Sequence, residues 1–128
     1  MRHLAILGST GVVMGLLSTL VGLPLLVEFS LWIIFYVLWV VYGVRFRLEM
    51  PVRTITVGST LAGLITGSIQ VLLMEAYKEN NPWHAELFDG PAQQLATQFL
   101  GQGIALGFFF GLVVGLIVRW RLKKIAAA

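Results

Sequence analysis

Four long stretches of the chain contain no Arg, Lys, Asp, Glu or His, and they constrain the fold more than any other feature. They cover residues 4–27, 29–44, 54–74 and 99–118. A membrane-spanning helix needs about 20 apolar residues, whereas a barrel strand alternates apolar and polar residues over about ten positions. The stretches do not alternate, so the sequence predicts an all-α membrane protein with four transmembrane helices.

The composition agrees with a single polytopic membrane domain over residues 1–128. Only 12% of the residues are charged and 58% are hydrophobic, whereas about one quarter of an ordinary soluble domain is charged. We expect helix 1 at about 4–27, helix 2 at about 29–47, helix 3 at about 54–75, an outer loop at about 77–90 and helix 4 at about 91–121.

The basic residues are distributed unequally between the two sides of a four-helix topology. Lys78 is the one basic residue expected on the outer side, and the others share the opposite side: Arg2, Arg45, Arg47, Arg53, Arg119, Arg121, Lys123 and Lys124. The positive-inside rule therefore predicts that both termini are cytoplasmic. We expect the plasma membrane of a bacterium or archaeon, and no nucleic acid partner, because the cations flank helix ends.

Two short motifs occur twice. VRFRL at 44–48 recurs as VRWRL at 118–122, and GST at 8–10 recurs at 58–60. These matches predict two tandem helical hairpins, in which helices 1 and 2 are repeated as helices 3 and 4 with an insertion in the second outer loop. Both copies would start in the cytoplasm, as in a parallel repeat. Coincidence in an apolar chain is the alternative.

The basic residues at the helix ends have two interpretations. The first is cationic anchoring, which fixes the depth and orientation of the helices. The second is binding of anionic lipid headgroups at the cytoplasmic face, where each cation contributes about 1 kcal/mol. The candidates for either role are Arg45, Arg47, Arg119, Arg121, Lys123 and Lys124.

Small residues at four-residue spacing predict close helix packing. Helix 4 carries a stripe of Gly103, Gly107, Gly111 and Gly115, helix 1 carries Gly11 and Gly15, and helix 3 carries Gly63 and Gly67. Such glycines allow two backbones to approach closely in lipid. Packing within the bundle is the favoured interpretation, and a contact with a second copy or another membrane subunit is the alternative.

Helix 2 instead carries large side chains on one broad face: Trp32, Phe35, Tyr36, Trp39, Tyr42 and Phe46. This face predicts packing or lipid contact, and stacking of a bound ligand on the rings is the alternative.

Glutamines form a polar line toward the outer side. Gln94, Gln98 and Gln102 recur at four-residue steps in helix 4, and Gln70 of helix 3 is expected at similar depth. Hydrogen bonds between helices are their expected role, with a solute path as the alternative. Asn81 and Pro82 predict a turn in the outer loop.

No pattern in the chain predicts catalysis, a cofactor or a metal site. His84 is the one histidine near the loop acids, whereas zinc needs three or four ligands, and no acidic or basic side chain is expected deep inside the membrane. We therefore expect a non-enzymatic structural or accessory subunit, or an oligomeric scaffold, of a membrane assembly. The alternative function is an oligomeric channel or small-solute transporter.

Overall fold

In the computed structural model, residues 1–84 and 90–127 are described, and this part of the chain contains five α-helices. They are α1 (Arg2–Leu16), α2 (Leu25–Arg45), α3 (Pro51–Leu72), α4 (Met74–Asn80) and α5 (Ala92–Ala126), and α1 continues as a π-helical segment, Leu17–Gly22. Four segments are long and apolar enough to cross a membrane: Arg2–Gly22, α2, α3 and α5. An all-helical fold with four candidate spans is thus confirmed for the described residues.

The first two helices meet earlier in the chain than the charge pattern predicts. The first helix ends at Gly22 rather than near residue 27, and α2 begins at Leu25 rather than near residue 29. Gly22 has a φ of 73°, which glycine adopts without the steric cost of a Cβ, and Pro24 has no N–H to continue a helix. Both residues are uncharged, so a boundary drawn from charge passes over them.

The outer loop also differs from the prediction. α3 ends at Leu72, and the short helix α4 occupies most of the stretch before Asn81. The last helix starts near the predicted Pro91 but continues to Ala126 rather than to residue 121. Its 35 residues span about 52 Å at 1.5 Å per residue, so it extends beyond a hydrocarbon core of about 30 Å.

α3 is the central helix, with α1 packed on one side and α5 on the other. Gly11 of α1 lies against the backbone of Ala62, and Gly63 of α3 lies against the backbone of Gly103 in α5. α2 packs mainly against α5 and touches α1 and α3 at few points. The second predicted hairpin is therefore closely packed along its length and the first is not, and the duplication stays a prediction.

The contacts between helices also give their directions. Leu7 and Gly58 meet near the starts of α1 and α3, and Gly15 meets Ile69 further along both helices, so these two helices are parallel. Gly63 faces Gly103, whereas Gly115, later in α5, faces Val52, earlier in α3. α3 and α5 are therefore antiparallel.

α2 and α5 run in the same direction. Tyr36 stacks on Phe110, and further along both helices Gly43 lies against Val118. The two Arg-aromatic-Arg motifs follow these contacts, so both lie at the same end of the bundle. At that end, Nδ1 of His3, near the start of α1, shares a hydrogen bond of 2.7 Å with the Tyr42 hydroxyl.

The four glycines of the α5 stripe lie against α3 rather than on an open surface. A Cβ added to Gly107 would lie within 3.1 Å of the Ser59 backbone, one on Gly111 would lie 2.9 Å from Thr56 Cα, and one on Gly115 would lie 2.7 Å from Val52 Cα. Because no hydrophobic effect drives helices together in lipid, close backbone contacts of this kind favour association. Their contribution to stability stays a prediction.

Candidate functional site

A cavity of about 350 Å³ lies between the first half of α2 and the helices α3 and α5. We call it the lateral cavity. It is lined by Leu25, Glu28, Phe29, Trp32, Tyr36, Gly63, Thr66, Gly67, Gln70, Tyr77, His84, Gln98, Phe99, Gln102, Gly103, Leu106, Gly107 and Phe110. Phe29 and Leu106 are about half exposed, so the cavity is open at the side of the bundle.

Glycine creates much of the space in the lateral cavity. Gly63 and Gly103 bring the backbones of α3 and α5 into contact, and neither residue places a side chain over the groove between the two helices. Gly67 and Gly107 continue this floor in both directions. The glycine spacing that predicts close helix packing therefore also gives the cavity one wall without bulky side chains. The large side chains of α2 form the opposite wall.

The end of the lateral cavity near the start of α2 is polar. Glu28 lies in the first turn of α2, and Gln98 and Gln102 face it from α5. The neighbouring Leu25 and Leu26 are 70% and 77% exposed, whereas the side chain of Glu28 lines the cavity. Glu28 is thus the acidic residue of this turn that lines the cavity, beside Leu25 at the rim.

Tyr77 of α4 contributes a phenol to the same polar end. Its side chain is buried and packs edge to face on Phe99 at 5.2 Å between ring centroids. Burial, and then the negative charge of Glu28, raise the pKa of the Tyr77 phenol. The phenol therefore keeps its proton at neutral pH and adds a polar group to this end of the cavity.

The opposite end of the lateral cavity is aromatic. Trp32 stacks on Tyr36 with 5.9 Å between ring centroids, and Tyr36 stacks on Phe110 at 5.3 Å. Beyond these rings the helices close on a buried apolar cluster that includes Trp39, Val114 and Val118. The cavity thus has one polar end and one aromatic end, and the buried apolar cluster closes it beyond the aromatic end.

The sequence-predicted aromatic face of α2 is divided between several environments. Trp32 and Tyr36 line the lateral cavity, Trp39 is buried in the core, and Phe35 packs against that core. Tyr42 and Phe46 contact each other at the other end of the helix, with 4.7 Å between ring centroids.

The glutamines that the sequence predicts as a polar line separate into two groups. Gln70, Gln98 and Gln102 line the lateral cavity, whereas Gln94 does not. The Gln70 amide donates a 3.0 Å hydrogen bond to the Ser18 hydroxyl, so its interhelical partner is a serine of the π-helical segment.

Asn81 holds this end of the bundle together. Its side chain is fully buried. The amide donates 2.8 Å hydrogen bonds to the carbonyls of Ser18 and Tyr77, and its oxygen accepts a 3.1 Å bond from the Leu23 N–H. The π-helical segment and the break after it leave backbone groups without helical partners. Asn81 satisfies two of them.

The basic residues lie away from the lateral cavity. Arg53, Arg119 and Lys123 line an open cleft with Glu49 at the opposite end of the bundle. Arg121 and Lys124 lie over the Trp120 ring, at 5.5 and 4.9 Å from its centroid. Arg45 ends α2 and Arg47 has a φ of 45° just after it. Anchoring and headgroup binding by these residues stay predictions.

Glu28 is the site residue that the sequence analysis missed. The charge pattern places it between two spans, and the proline four positions earlier is the signal that could have placed it inside α2, because proline favours a helix start. Within the described residues, no group of three or more His, Asp or Glu side chains is arranged to hold a metal ion. Glu86 and Asp89 of the outer loop lie outside the described residues.

No protein-family model, curated protein sequence or solved structure matches this chain.

Proposed function

We propose that this chain is a non-enzymatic integral membrane protein that binds a small amphipathic molecule in the lateral cavity. The observation that carries the proposal is the combination, in one cavity, of an aromatic end and a polar end with several hydrogen-bonding side chains. Ligand sites in proteins typically have this character, with mostly apolar walls and a few convergent polar groups.

The position of the cavity supports entry from the lipid. Its side opening lies between Phe29 and Leu106, on helices that are apolar enough to span a membrane. With both termini in the cytoplasm, as the positive-inside rule predicts, the polar end faces the outer leaflet. An amphipathic molecule in that leaflet would enter with its polar group toward Glu28 and its apolar part toward Trp32.

The cavity supports one of the two functions predicted from the sequence more than the other. The accessory-subunit role rests mainly on a glycine stripe free for a partner, and Gly107 and Gly111 lie against α3. The transporter alternative gains support, because Gln70 and Gln102 line the same cavity. A continuous path through one copy would have to pass the Tyr36 and Phe110 stack, so transport would require movement of α2 or a second copy.

The proposal can be tested by native mass spectrometry on protein extracted directly from membranes into polymer-bounded nanodiscs. Gln102→Phe places a ring in the lateral cavity, and Ile104→Phe places the same ring on an exposed face of α5 that does not line it. We expect a bound small molecule on the wild type and on Ile104→Phe and its loss from Gln102→Phe. The same occupancy in all three proteins, or none in any, would contradict the proposal.

A further inference from the structure

We infer that the molecule bound in the lateral cavity is a lipophilic monocation, with Glu28 as its counter-ion and the rings of Trp32 and Tyr36 as its apolar contact. This inference rests on the proposed ligand-binding function and adds the charge of the ligand. It follows from the balance of charges around Glu28.

Glu28 has no basic partner in the described part of the chain. The ion pair found there joins Lys78 to Glu75, at 3.7 Å, and the Glu75 side chain is almost fully exposed. The undescribed residues 85–89 read AELFD and contain no Lys, Arg or His. The other arginines and lysines belong to the turns and helix ends at the opposite end of the bundle.

A carboxylate that is partly removed from water is stabilised by a cationic partner. His84 is the one histidine among the described residues that line the cavity, and in the described part of the chain no ion pair joins it to Glu28. Among the described residues that line the cavity, Glu28 is thus the one carboxylate, and no lysine or arginine accompanies it. A ligand with one positive charge supplies the missing partner, whereas an anionic ligand would add a second like charge.

The aromatic end favours the same class of ligand. Rings attract a cation placed over their faces within about 6 Å, and the attraction is stronger where water is excluded. Trp32 and Tyr36 both line the cavity and lie on the same helix as Glu28, one and two turns further on. A cation close to Glu28 therefore lies near aromatic faces as well, and an attached apolar group can reach Phe110.

Three probes of similar size separate charge from shape. Benzyltrimethylammonium is a cation, neopentylbenzene is its uncharged isostere with carbon in place of nitrogen, and benzylsulfonate is an anion. Binding is measured at pH 8 by equilibrium dialysis against the protein in nanodiscs of zwitterionic lipid, and uptake by empty nanodiscs is subtracted. We expect the cation to bind at least tenfold more tightly than the isostere and the anion to bind more weakly than both.

The substitution Glu28→Gln tests the counter-ion directly. It should reduce the affinity for the cation to that for the isostere and leave the isostere unaffected, with circular dichroism reporting that the fold is retained. Glu75→Gln is the matched control, because Glu75 is an exposed acid on a neighbouring helix, and it should leave the tenfold preference unchanged.

The outcomes distinguish this inference from the proposed function. If the isostere binds in the lateral cavity, and Gln102→Phe abolishes its binding, but the cation binds no better, the charge inference is wrong and the ligand-binding function stands. A cation preference that survives in Glu28→Gln also contradicts the inference. If none of the three probes binds to folded wild-type protein, both proposals are wrong.

Discussion

The contact between Gly63 and Gly103 provides a sharp test of how the bundle is held together. A Cβ added to Gly103 would lie 2.9 Å from the carbonyl carbon of Gly63 and closer still to its oxygen. Neither atom belongs to a side chain that could rotate away. Gly103→Ala should therefore force α3 and α5 apart along the contact that forms the floor of the lateral cavity.

Gly101 supplies a matched control two residues earlier in the same helix. A Cβ added there meets no atom within 4 Å. Both changes are Gly to Ala within α5, so both gain the same helix propensity, about 1 kcal/mol, and this gain cancels when the two variants are compared. The remaining difference is the overpacking cost, which is about 1 to 3 kcal/mol.

The assay is unfolding in mixed micelles of increasing dodecyl sulfate content, followed by circular dichroism. We expect Gly103→Ala to unfold at lower dodecyl sulfate than Gly101→Ala, with a free energy of unfolding lower by about 1 to 3 kcal/mol. Equal stability of the two variants would refute the contact. If Gly103→Ala instead stays fully stable but changes from an oligomer to a monomer in analytical ultracentrifugation, its neighbour is another copy.

Three further predictions concern topology and the polar contacts at the outer end. Met50→Cys should be shielded from an impermeant thiol reagent in intact cells, whereas Glu79→Cys should react, and labelling of position 50 before lysis would overturn the topology. Asn81→Ala should lower the free energy of unfolding by about 2 to 4 kcal/mol, since it leaves buried backbone groups without hydrogen-bond partners. Asn80→Ala removes one partly buried hydrogen bond and should lower it by about 1 kcal/mol. Equal losses in the dodecyl sulfate titration would be inconsistent with the buried position of Asn81. Gln70→Leu removes a bond to α1 and should cost about 0.6 kcal/mol, and a gain in stability would show that this bond contributes nothing.

The number and type of spanning helices could be predicted from the sequence because they depend on local composition. A stretch without charges that is long enough to cross a bilayer is visible without any knowledge of its neighbours. The pairing of the helices could not be predicted in the same way. Glycines at four-residue spacing occur on α1, α3 and α5, and nothing in the sequence assigns Gly63 to Gly103 and Gly11 to Ala62.

The lateral cavity was inaccessible to sequence reasoning for a related reason. It lies beside the first half of α2, whereas Gly43, near the end of that helix, packs against Val118 of α5, and both are properties of tertiary contacts. The roles of Glu28 and Asn81 depend on a helix boundary. Because the first helix ends at Gly22 and α2 begins after Pro24, Glu28 lies within α2. The same break leaves the Leu23 N–H without a helical partner, and the buried Asn81 side chain accepts its hydrogen bond.

Some sequence patterns identified residues that do lie together, but they did not give the full role of each residue. The glutamine line correctly groups Gln70, Gln98 and Gln102, because a four-residue step keeps side chains on one helix face. Gln94 belongs to the same step, yet it lies beyond the cavity, since the periodicity of a helix does not indicate where its neighbours end. The tandem repeat and the cytoplasmic position of the termini stay predictions.

The most direct test of the lateral cavity is photolabelling with trifluoromethyl phenyldiazirine, a small aromatic probe that partitions into lipid and reacts with nearby side chains when irradiated. Labelled residues are located by mass spectrometry, with and without an excess of neopentylbenzene. We predict labelling of Trp32, Tyr36 and Phe110 that the competitor abolishes, and labelling of the exposed Val12 and Val13 of α1 that it leaves unchanged. Labelling of the cavity residues that is no stronger than that of α1, or that the competitor does not reduce, would contradict the existence of a binding site between α2 and α5.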